Sequence, residues 1–212
     1  MIADLHSHYP MHLTVRPRES LVKLVASAPG RWQLLDAARS VLIRVASRFG
    51  NYRSFESGPR VTVPLLRAGN VGVALSVLNS PFDEMDLGKR YGSPPDSSYF
   101  PTLLRALEDV EREVAEEFEG LARVVHDRDE LEAALAAGET ALVHCVEGGY
   151  HLGATVDEVD ANVTELARRG CVYITLAHLF YRGVATNINA IPFLPDRVYD
   201  FLFPMPKGIG LT

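Results

Sequence analysis

The sequence predicts an α/β protein built around a parallel sheet. Short apolar segments, several of them rich in valine, alternate along the chain with longer amphipathic segments. Strand, helix and strand in succession, with short connections, are typical of parallel strands joined by crossover helices. About five such βα units are present, and no sequence repeat relates them. This alternation fits either a doubly wound sheet or a (β/α)8 barrel.

The composition is that of a soluble globular protein with one sizeable core. The 212 residues are 47% hydrophobic and 23% charged, and the formal net charge is −6. This acidity argues against nucleic acid as a partner, because binding it needs a basic face. No apolar run approaches the ~20 residues that span a bilayer, and the first strand starts too early for a secretory signal. Cys145 and Cys171 make no disulfide framework, so we expect a cytoplasmic protein without a membrane partner.

The first strand carries the most informative motif of the chain. The apolar residues Met1-Ile2-Ala3 lead into Asp4-Leu5-His6-Ser7-His8. Side chains of a strand alternate with a period of two, so His6 and His8 leave the same face, about two rises of ~3.3 Å apart. Both imidazoles can therefore reach one metal ion, and imidazole is a common ligand of zinc.

The region after this strand is mainly helical. We predict helices over Ser20–Ala26 and Trp32–Phe49, and a short helix over Val61–Arg67. The nearly continuous apolar run Val71–Leu78 predicts a second strand, buried on both faces. Asn79–Pro101 is predicted to be a long loop, and long loops in compact domains are often functional.

Helices and strands alternate in the second half of the chain. The acidic residues of the first of these helices are interpreted as a solvated face. The predicted elements are a helix at Thr102–Glu119, a strand at Ala122–Val125, a helix at Asp129–Ala137, a strand at Thr140–Val146, a helix at Val156–Arg169 and a strand at Cys171–Leu176.

Three strand ends carry residue types that bind metals. The first strand ends in His6 and His8, the fourth runs into Glu147, and the fifth runs into His178. Active sites of (β/α)8 barrels are built at the C-terminal ends of the strands. The strand ends therefore favour the barrel over the doubly wound sheet, and they indicate a polynuclear metal site.

The fourth strand directs Glu147 and His144 to opposite faces. Glu147 shares its face with Cys145 and is expected to point into the barrel mouth, where Gly148-Gly149 allows close approach of the backbone. The alternative for Glu147 is a carboxylate that caps the next helix. His144 is expected to be a packed side chain, and Cys145 a small core residue.

Three motifs together resemble the membrane (renal) dipeptidase family of metal-dependent barrels. They are His6-Ser7-His8, Val146-Glu147-Gly148-Gly149 and Ile174-Thr175-Leu176-Ala177-His178. The resemblance implies a TIM-like (β/α)8 barrel, of which this chain supplies roughly the first five strands. Residues 1–212 would then be the N-terminal part of a single hydrolase barrel, with a helical insertion at about 18–50.

The resemblance also implies roles for single residues. His6 and His8 would bind the first metal, Glu147 would bridge two zinc ions, and His178 would contact the substrate and polarise the scissile carbonyl. The family has His-x-Asp in the first motif, where this chain has His-x-His.

Two further residues are candidates for substrate binding. His151 follows the Glu-Gly-Gly motif and is positioned to line the pocket. Asn187 lies in the loop after His178.

The implied activity is that of a metallo-dipeptidase or related amide hydrolase with two Zn²⁺ ions. Two cations lower the pKa of a bridging water and supply the hydroxide that attacks the amide. In the family, further βα units add two histidine ligands and a catalytic aspartate, whereas no histidine follows His178 here, and Asp196 and Asp200 are predicted to lie in a proline-rich loop. We therefore expect the chain to be incomplete at its C-terminus and inactive alone. It would need the missing part of the barrel or form a homo-oligomer.

Two other functions stay open at this point. One is a PHP- or TatD-like metal-dependent phosphoesterase, because D-x-H-x-H openings also occur there. The Glu-Gly-Gly motif and the absence of a basic phosphate-binding cluster argue against it. The other is a non-catalytic barrel remnant that serves as a scaffold or an interaction module.

Overall fold

The computed structural model describes part of the chain. The described residues are 1–14, 35, 38, 39, 41, 42, 61–80, 83, 84, 91–189, 191 and 193–206. The helix predicted at Ser20–Ala26 lies outside them, as does most of the helix predicted at Trp32–Phe49. The five described positions within that second range are all helical. The insertion predicted at about 18–50 lies almost entirely outside the described residues and stays a prediction.

Strands and helices alternate through the described residues, as predicted. β2 has its predicted bounds, and a turn of 3₁₀ helix at Gly149–Leu152 follows β4. The elements in chain order are β1 (Ile2–Ser7), α1 (Met11–Thr14), α2 (Val63–Ala68), β2 (Val71–Leu78), α3 (Tyr99–Glu117), β3 (Ala122–Val125), α4 (Arg128–Ala136), β4 (Thr140–Glu147), α5 (Val156–Arg168), β5 (Ile174–Thr175) and α6 (Asp196–Leu202).

These strands form one parallel sheet. β2 pairs with β1 and with β4, so the strand order is β1-β2-β4-β3. β3 pairs with the first half of β4, at Thr140–Val143, and β5 pairs with its end, at Val146 and Glu147. The architecture is a mixed α/β fold with a parallel half-barrel sheet. The complete (β/α)8 barrel stays a prediction.

β5 is shorter than the strand predicted at Cys171–Leu176, although the pairing with β4 extends beyond it. Val172 N donates to the carbonyl of His144 at 3.0 Å, and Gly149 N donates to the carbonyl of Leu176, also at 3.0 Å. The backbone ladder therefore continues on both sides of Ile174–Thr175. It fixes the segment that leads to His178 against the end of β4.

The predicted proline-rich loop around Asp196 and Asp200 is wrong, because α6 occupies this segment. Pro195 is the residue before the first helical turn, with φ −58°, and Asp196 lies in that turn, where a carboxylate favours the positive end of the helix dipole. Tyr199 and Phe203 are buried together, with ring centroids 5.0 Å apart. The proline starts a helix here, and the packing of its aromatic side chains stabilises it.

β4 is the central strand, and the core lies on its two faces. All eight of its residues are buried, as expected for a strand covered on both sides. α3 packs over the face that carries Leu142 and Val146, and it contributes a stripe of buried side chains at helical spacing. These are Tyr99, Leu103, Leu107, Val110 and Val114. The opposite face of β4 carries Cys145 and Glu147.

None of the helices in the described part of the chain has both the length and the apolar character needed to cross a membrane. The cytoplasmic location expected from the cysteine content stays a prediction.

Candidate metal centre

β1 and β4 bring His6, His8 and Glu147 together. His6 Nε2 lies 3.5 Å from Glu147 Oε1, His8 Nε2 lies 3.4 Å from Glu147 Oε2, and the two imidazole nitrogens are 3.3 Å apart. β2 separates the two strands, and neighbouring strands are spaced by about 4.8 Å. The side chains reach across β2 at the C-terminal ends of the strands.

The ring of His6 is oriented by Tyr173. His6 Nδ1 lies 3.1 Å from the hydroxyl oxygen of Tyr173, and that hydroxyl donates to the carbonyl of Leu5 at 3.3 Å. Because the hydroxyl hydrogen is used toward Leu5, His6 donates from Nδ1 to the hydroxyl oxygen. The lone pair at Nε2 then faces Glu147, which is the tautomer that binds a metal.

His178 lies between Glu147 and a second buried carboxylate, Glu84. Its Nε2 is 3.2 Å from Glu147 Oε2, and its Nδ1 is 2.7 Å from Glu84 Oε2. Glu84 is only 1% exposed, and its other oxygen accepts hydrogen bonds from the backbone N–H groups of Leu179 and Phe180. Glu84 therefore sets the orientation of the His178 ring.

The sequence did not single out Glu84. It lies in the segment Asn79–Pro101, for which length is the one indication of a function. The available indication of a role for Glu84 is that it is an acidic residue within a long predicted loop. Its contact with His178 depends on tertiary packing and does not follow from the sequence pattern.

The donor set at Glu147 fits a divalent metal ion. The side chain of Glu147 is 9% exposed, and its Oε2 atom has no hydrogen bond from the described residues although His8 and His178 lie nearby. A buried carboxylate that faces several imidazole nitrogens suits zinc and similar ions. Three donor atoms, one each from His6, His8 and Glu147, lie within 4.8 Å of one another, which is sufficient for one ion. A second ion stays a prediction.

The protonation of two histidines in this cluster is shifted in opposite directions. Burial lowers the pKa of His8, and the charge of Glu147 offsets only part of this effect. Burial also lowers the pKa of His178, but the hydrogen bond and charge of Glu84, with the charge of Glu147, outweigh it and leave that pKa raised. His8 thus favours the neutral form that a ligand needs, and His178 favours a protonated ring.

Gly148 and Gly149 allow the chain to turn directly after Glu147. Gly148 has φ +102°, and a Cβ atom there would lie 2.1 Å from the ring of Tyr150. A Cβ atom on Gly149 would lie 3.1 Å from the carbonyl oxygen of Leu176. The close backbone approach predicted for this glycine pair is confirmed.

The structure places the two other candidates in packed positions. His151 is fully buried, its ring centroid is 4.2 Å from that of Tyr150, and burial lowers its pKa to about 3. Asn187 Nδ2 donates to the carbonyl of Leu179 at 2.6 Å and to the Tyr199 hydroxyl at 3.1 Å. Asn187 thus fastens the residue that follows His178. The substrate-binding roles of His151 and Asn187 stay predictions.

Comparison with known proteins gives little beyond this geometry. No family model and no curated protein matches the chain. Among solved structures, the chain is similar to the crystal structure of the probable dipeptidase PvdM from Pseudomonas aeruginosa, with a TM-score of 0.46 and 16% sequence identity. The match covers 64% of this chain and 32% of that chain, so this chain spans about a third of its length. A likeness at this TM-score carries no argument about activity.

Proposed function

We propose that the chain is part of a metal-dependent hydrolase that cleaves dipeptides or related small amides. The observation that supports this function is the approach of three imidazole nitrogens, from His6, His8 and His178, to within 3.2–3.5 Å of one buried carboxylate, Glu147. They meet at the C-terminal ends of parallel strands, where barrel enzymes build their active sites. We further propose that Glu147 bridges two zinc ions in a complete (β/α)8 barrel.

Each residue of the site has a separate task in this proposal. His6, His8 and Glu147 hold the metal, and a bound divalent ion supplies a Lewis acid and lowers the pKa of bound water. His178 carries a proton at Nδ1 and donates a hydrogen bond from it to Glu84. The other ring nitrogen, Nε2, faces Glu147. In the protonated ring, Nε2–H donates to the oxygen on which negative charge develops as the carbonyl is attacked.

Zinc binding tests the assignment of ligands. The metal-free chain is titrated with zinc against a chelating dye, together with the variants His8→Ala and Glu147→Gln. Glu116→Gln is the matched control, because Glu116 is exposed on α3 and the change removes the same charge. We expect both site variants to lose at least about tenfold in affinity for one bound zinc ion. Unchanged affinity in both would contradict the ligand assignment.

Substrate assays test the reaction. The zinc-loaded chain is supplied with a panel of L,L- and L,D-dipeptides and with a generic phosphodiester. Cleavage of a dipeptide that is lost in Glu147→Gln supports the amide hydrolase, whereas zinc-dependent cleavage of the phosphodiester alone would favour the phosphoesterase. Zinc binding without either activity is the result expected if further strands are needed, and adding a C-terminal barrel fragment should then restore turnover. If the added fragment does not restore turnover, the result favours the chain being a non-catalytic barrel remnant.

A further inference from the structure

A second group of metal-ligand side chains lies on the opposite face of β4. Glu111 of α3, His126 directly after β3 and His144 of β4 place one ligand atom each within 4.8 Å of one another. His144 Nε2 is 3.3 Å from Glu111 Oε1, and His126 Nε2 is 3.5 Å from the same oxygen. Because side chains alternate along a strand, this cluster is separated from Glu147 by the sheet itself.

The burial of His144 is unusual for a side chain that only fills space. It is 0% exposed between Leu142 and Val146, which pack under α3. A polar ring in such surroundings costs free energy unless its nitrogens are satisfied. Simple packing does not account for the convergence of His144 and His126 on one oxygen of Glu111.

Two of the three distances between the ligand atoms are close to those around a tetrahedral metal ion. Nitrogen and oxygen ligands lie about 2.0–2.2 Å from zinc, so neighbouring ligand atoms in a tetrahedron stand about 3.4 Å apart. The contacts of Glu111 with His144 and His126, at 3.3 and 3.5 Å, lie on either side of that value. A small adjustment of side chains would therefore place one ion among the three donors.

The second ring nitrogen of His126 is held by a carboxylate. His126 Nδ1 donates to Glu130 Oε2 at 2.9 Å, and the backbone N–H of His126 donates to the same oxygen. A carboxylate that accepts from the outer nitrogen of a histidine is the usual support of a metal-bound imidazole, because it fixes the ring and raises its basicity. This contact leaves His126 Nε2 directed at Glu111.

Ser76 is a polar residue that lies beside His144 in the sheet. Ser76 is the partner of His144 in the register of β2 and β4, so both side chains lie on the same face of the sheet. Within the described part of the chain, Ser76 Oγ and His144 Nδ1 are both buried and without a hydrogen bond.

We propose that Glu111, His126 and His144 form a separate binding site for a divalent transition metal ion of the zinc class. Two imidazoles and a carboxylate favour such an ion over magnesium or calcium, which prefer oxygen ligands. The side chains of Glu111 and His126 are 36% and 39% exposed, so an ion can enter from solvent and keep one water. The bound ion would link α3 to the C-terminal end of β3 and to the middle of β4. The site does not depend on the proposed hydrolase activity.

Zinc stoichiometry in a background that lacks the first site tests the proposal. The background carries His6→Gln and His8→Gln, and bound zinc is measured by native mass spectrometry and by competition with a chelating dye. We expect one zinc ion in the background. Adding His126→Gln or Glu111→Gln should lower the affinity for this ion at least tenfold, whereas adding Glu116→Gln should leave it unchanged.

The test substitutes Glu111 and His126, which are partly exposed, because replacing the buried His144 can unfold the chain. Circular dichroism confirms that each variant is folded, and zinc should raise Tm of the background but not of the His126→Gln variant. A background that binds no zinc would overturn the proposal. So would zinc that remains bound, with unchanged affinity, after both His126→Gln and Glu111→Gln.

Discussion

The two faces of β4 carry similar groups with opposite burial. At the Glu147 cluster the carboxylate is buried, and the side chain of His6 is half exposed. At the Glu111 cluster the imidazole of His144 is fully buried, and the carboxylate is partly exposed. A buried imidazole can stay neutral at physiological pH, whereas a buried carboxylate must find a cation or take up a proton. The demand for a cation therefore depends on which group is buried, and it is stronger at the Glu147 cluster.

The largest expected effect concerns the packing that supports the Glu111 cluster. Leu107 is fully buried one turn before Glu111 on α3. Leu107→Ala should lower the free energy of unfolding by about 3 kcal/mol, because it removes buried methyl groups and leaves a cavity. Denaturant unfolding measures the loss. Zinc titration should show weaker binding at the Glu111 cluster and unchanged binding at the Glu147 cluster.

Leu65→Ala is the matched control for this change. Leu65 lies on α2 and is 59% exposed, so its loss should cost less than about 0.5 kcal/mol. If both clusters lost affinity equally in Leu107→Ala, the two faces would not be independent.

The next effect tests the demand of Glu147 for a cation. Zinc at one hundred times its Kd should stabilise the chain by about 2.7 kcal/mol, because a ligand that binds only the folded state shifts the folding equilibrium. Glu147→Gln should lose the part of this stabilisation that arises at the Glu147 cluster and keep the part that arises at the Glu111 cluster. Without metal, the variant should be at least as stable as the unaltered chain, since it removes a buried charge. Calorimetry with and without zinc measures both. A metal-free Glu147→Gln variant that unfolds more readily would mean that the neighbouring histidines already satisfy the carboxylate.

His151 provides a third case, a buried imidazole for which no carboxylate contact is described. Burial lowers its pKa to about 3, whereas the pKa of an unfolded histidine is about 6.5. Between these values the unfolded chain binds a proton that the folded chain excludes. Stability from this group is therefore complete above pH 6.5 and should fall by about 1.4 kcal/mol per pH unit as the pH decreases below it.

The variant His151→Phe isolates this contribution. It keeps a buried ring and removes the titrating group, so the slope of unfolding free energy against pH between 6 and 4 should become shallower by that amount. Chemical denaturation at several pH values gives the slope. An unchanged slope would mean that His151 becomes protonated within the folded state.

The smallest expected effect is a loss of stability at the start of α5, away from both faces of β4. Thr155 caps α5, and its hydroxyl accepts from Glu158 N while Glu158 accepts from Thr155 N. Thr155→Ala should cost about 1 kcal/mol, because backbone N–H groups at the start of the helix lose an acceptor. Thermal unfolding measures this loss, and zinc binding at both clusters should not change. Altered zinc binding would couple α5 to the metal clusters.

The first cluster could be predicted from sequence because each of its members follows a local rule. The period of two in β1 puts His6 and His8 on one face, and parallel strands align their C-terminal ends, so Glu147 was expected to meet them. The bounds of β2 followed equally directly from a continuous apolar run. α6 was missed because the density of prolines in this segment predicts a loop, although Pro195 stands before the first turn, where a proline is compatible with a helix.

The second cluster was beyond prediction because its members belong to three different elements. Glu111 was assigned to a solvated face, and His144 was expected to be a packed side chain. Their contact depends on the position of α3 along β4, because the apolar stripe indicates which face of α3 packs on the sheet but not which residues of β4 it meets. Glu84 was missed for a related reason, since its partner His178 lies 94 residues further along the chain.

The contact between His6 and Tyr173 has a consequence for the order in which the molecule assembles. These residues are 167 positions apart in the sequence, and their hydrogen bond orients the first imidazole of the Glu147 cluster. Closing so long a loop costs chain entropy before it gains any contact, so such contacts form late in folding. During synthesis, His6 of β1 emerges 167 residues before Tyr173. The imidazole of His6 is therefore oriented for a metal only after Tyr173 has been made and has reached β1.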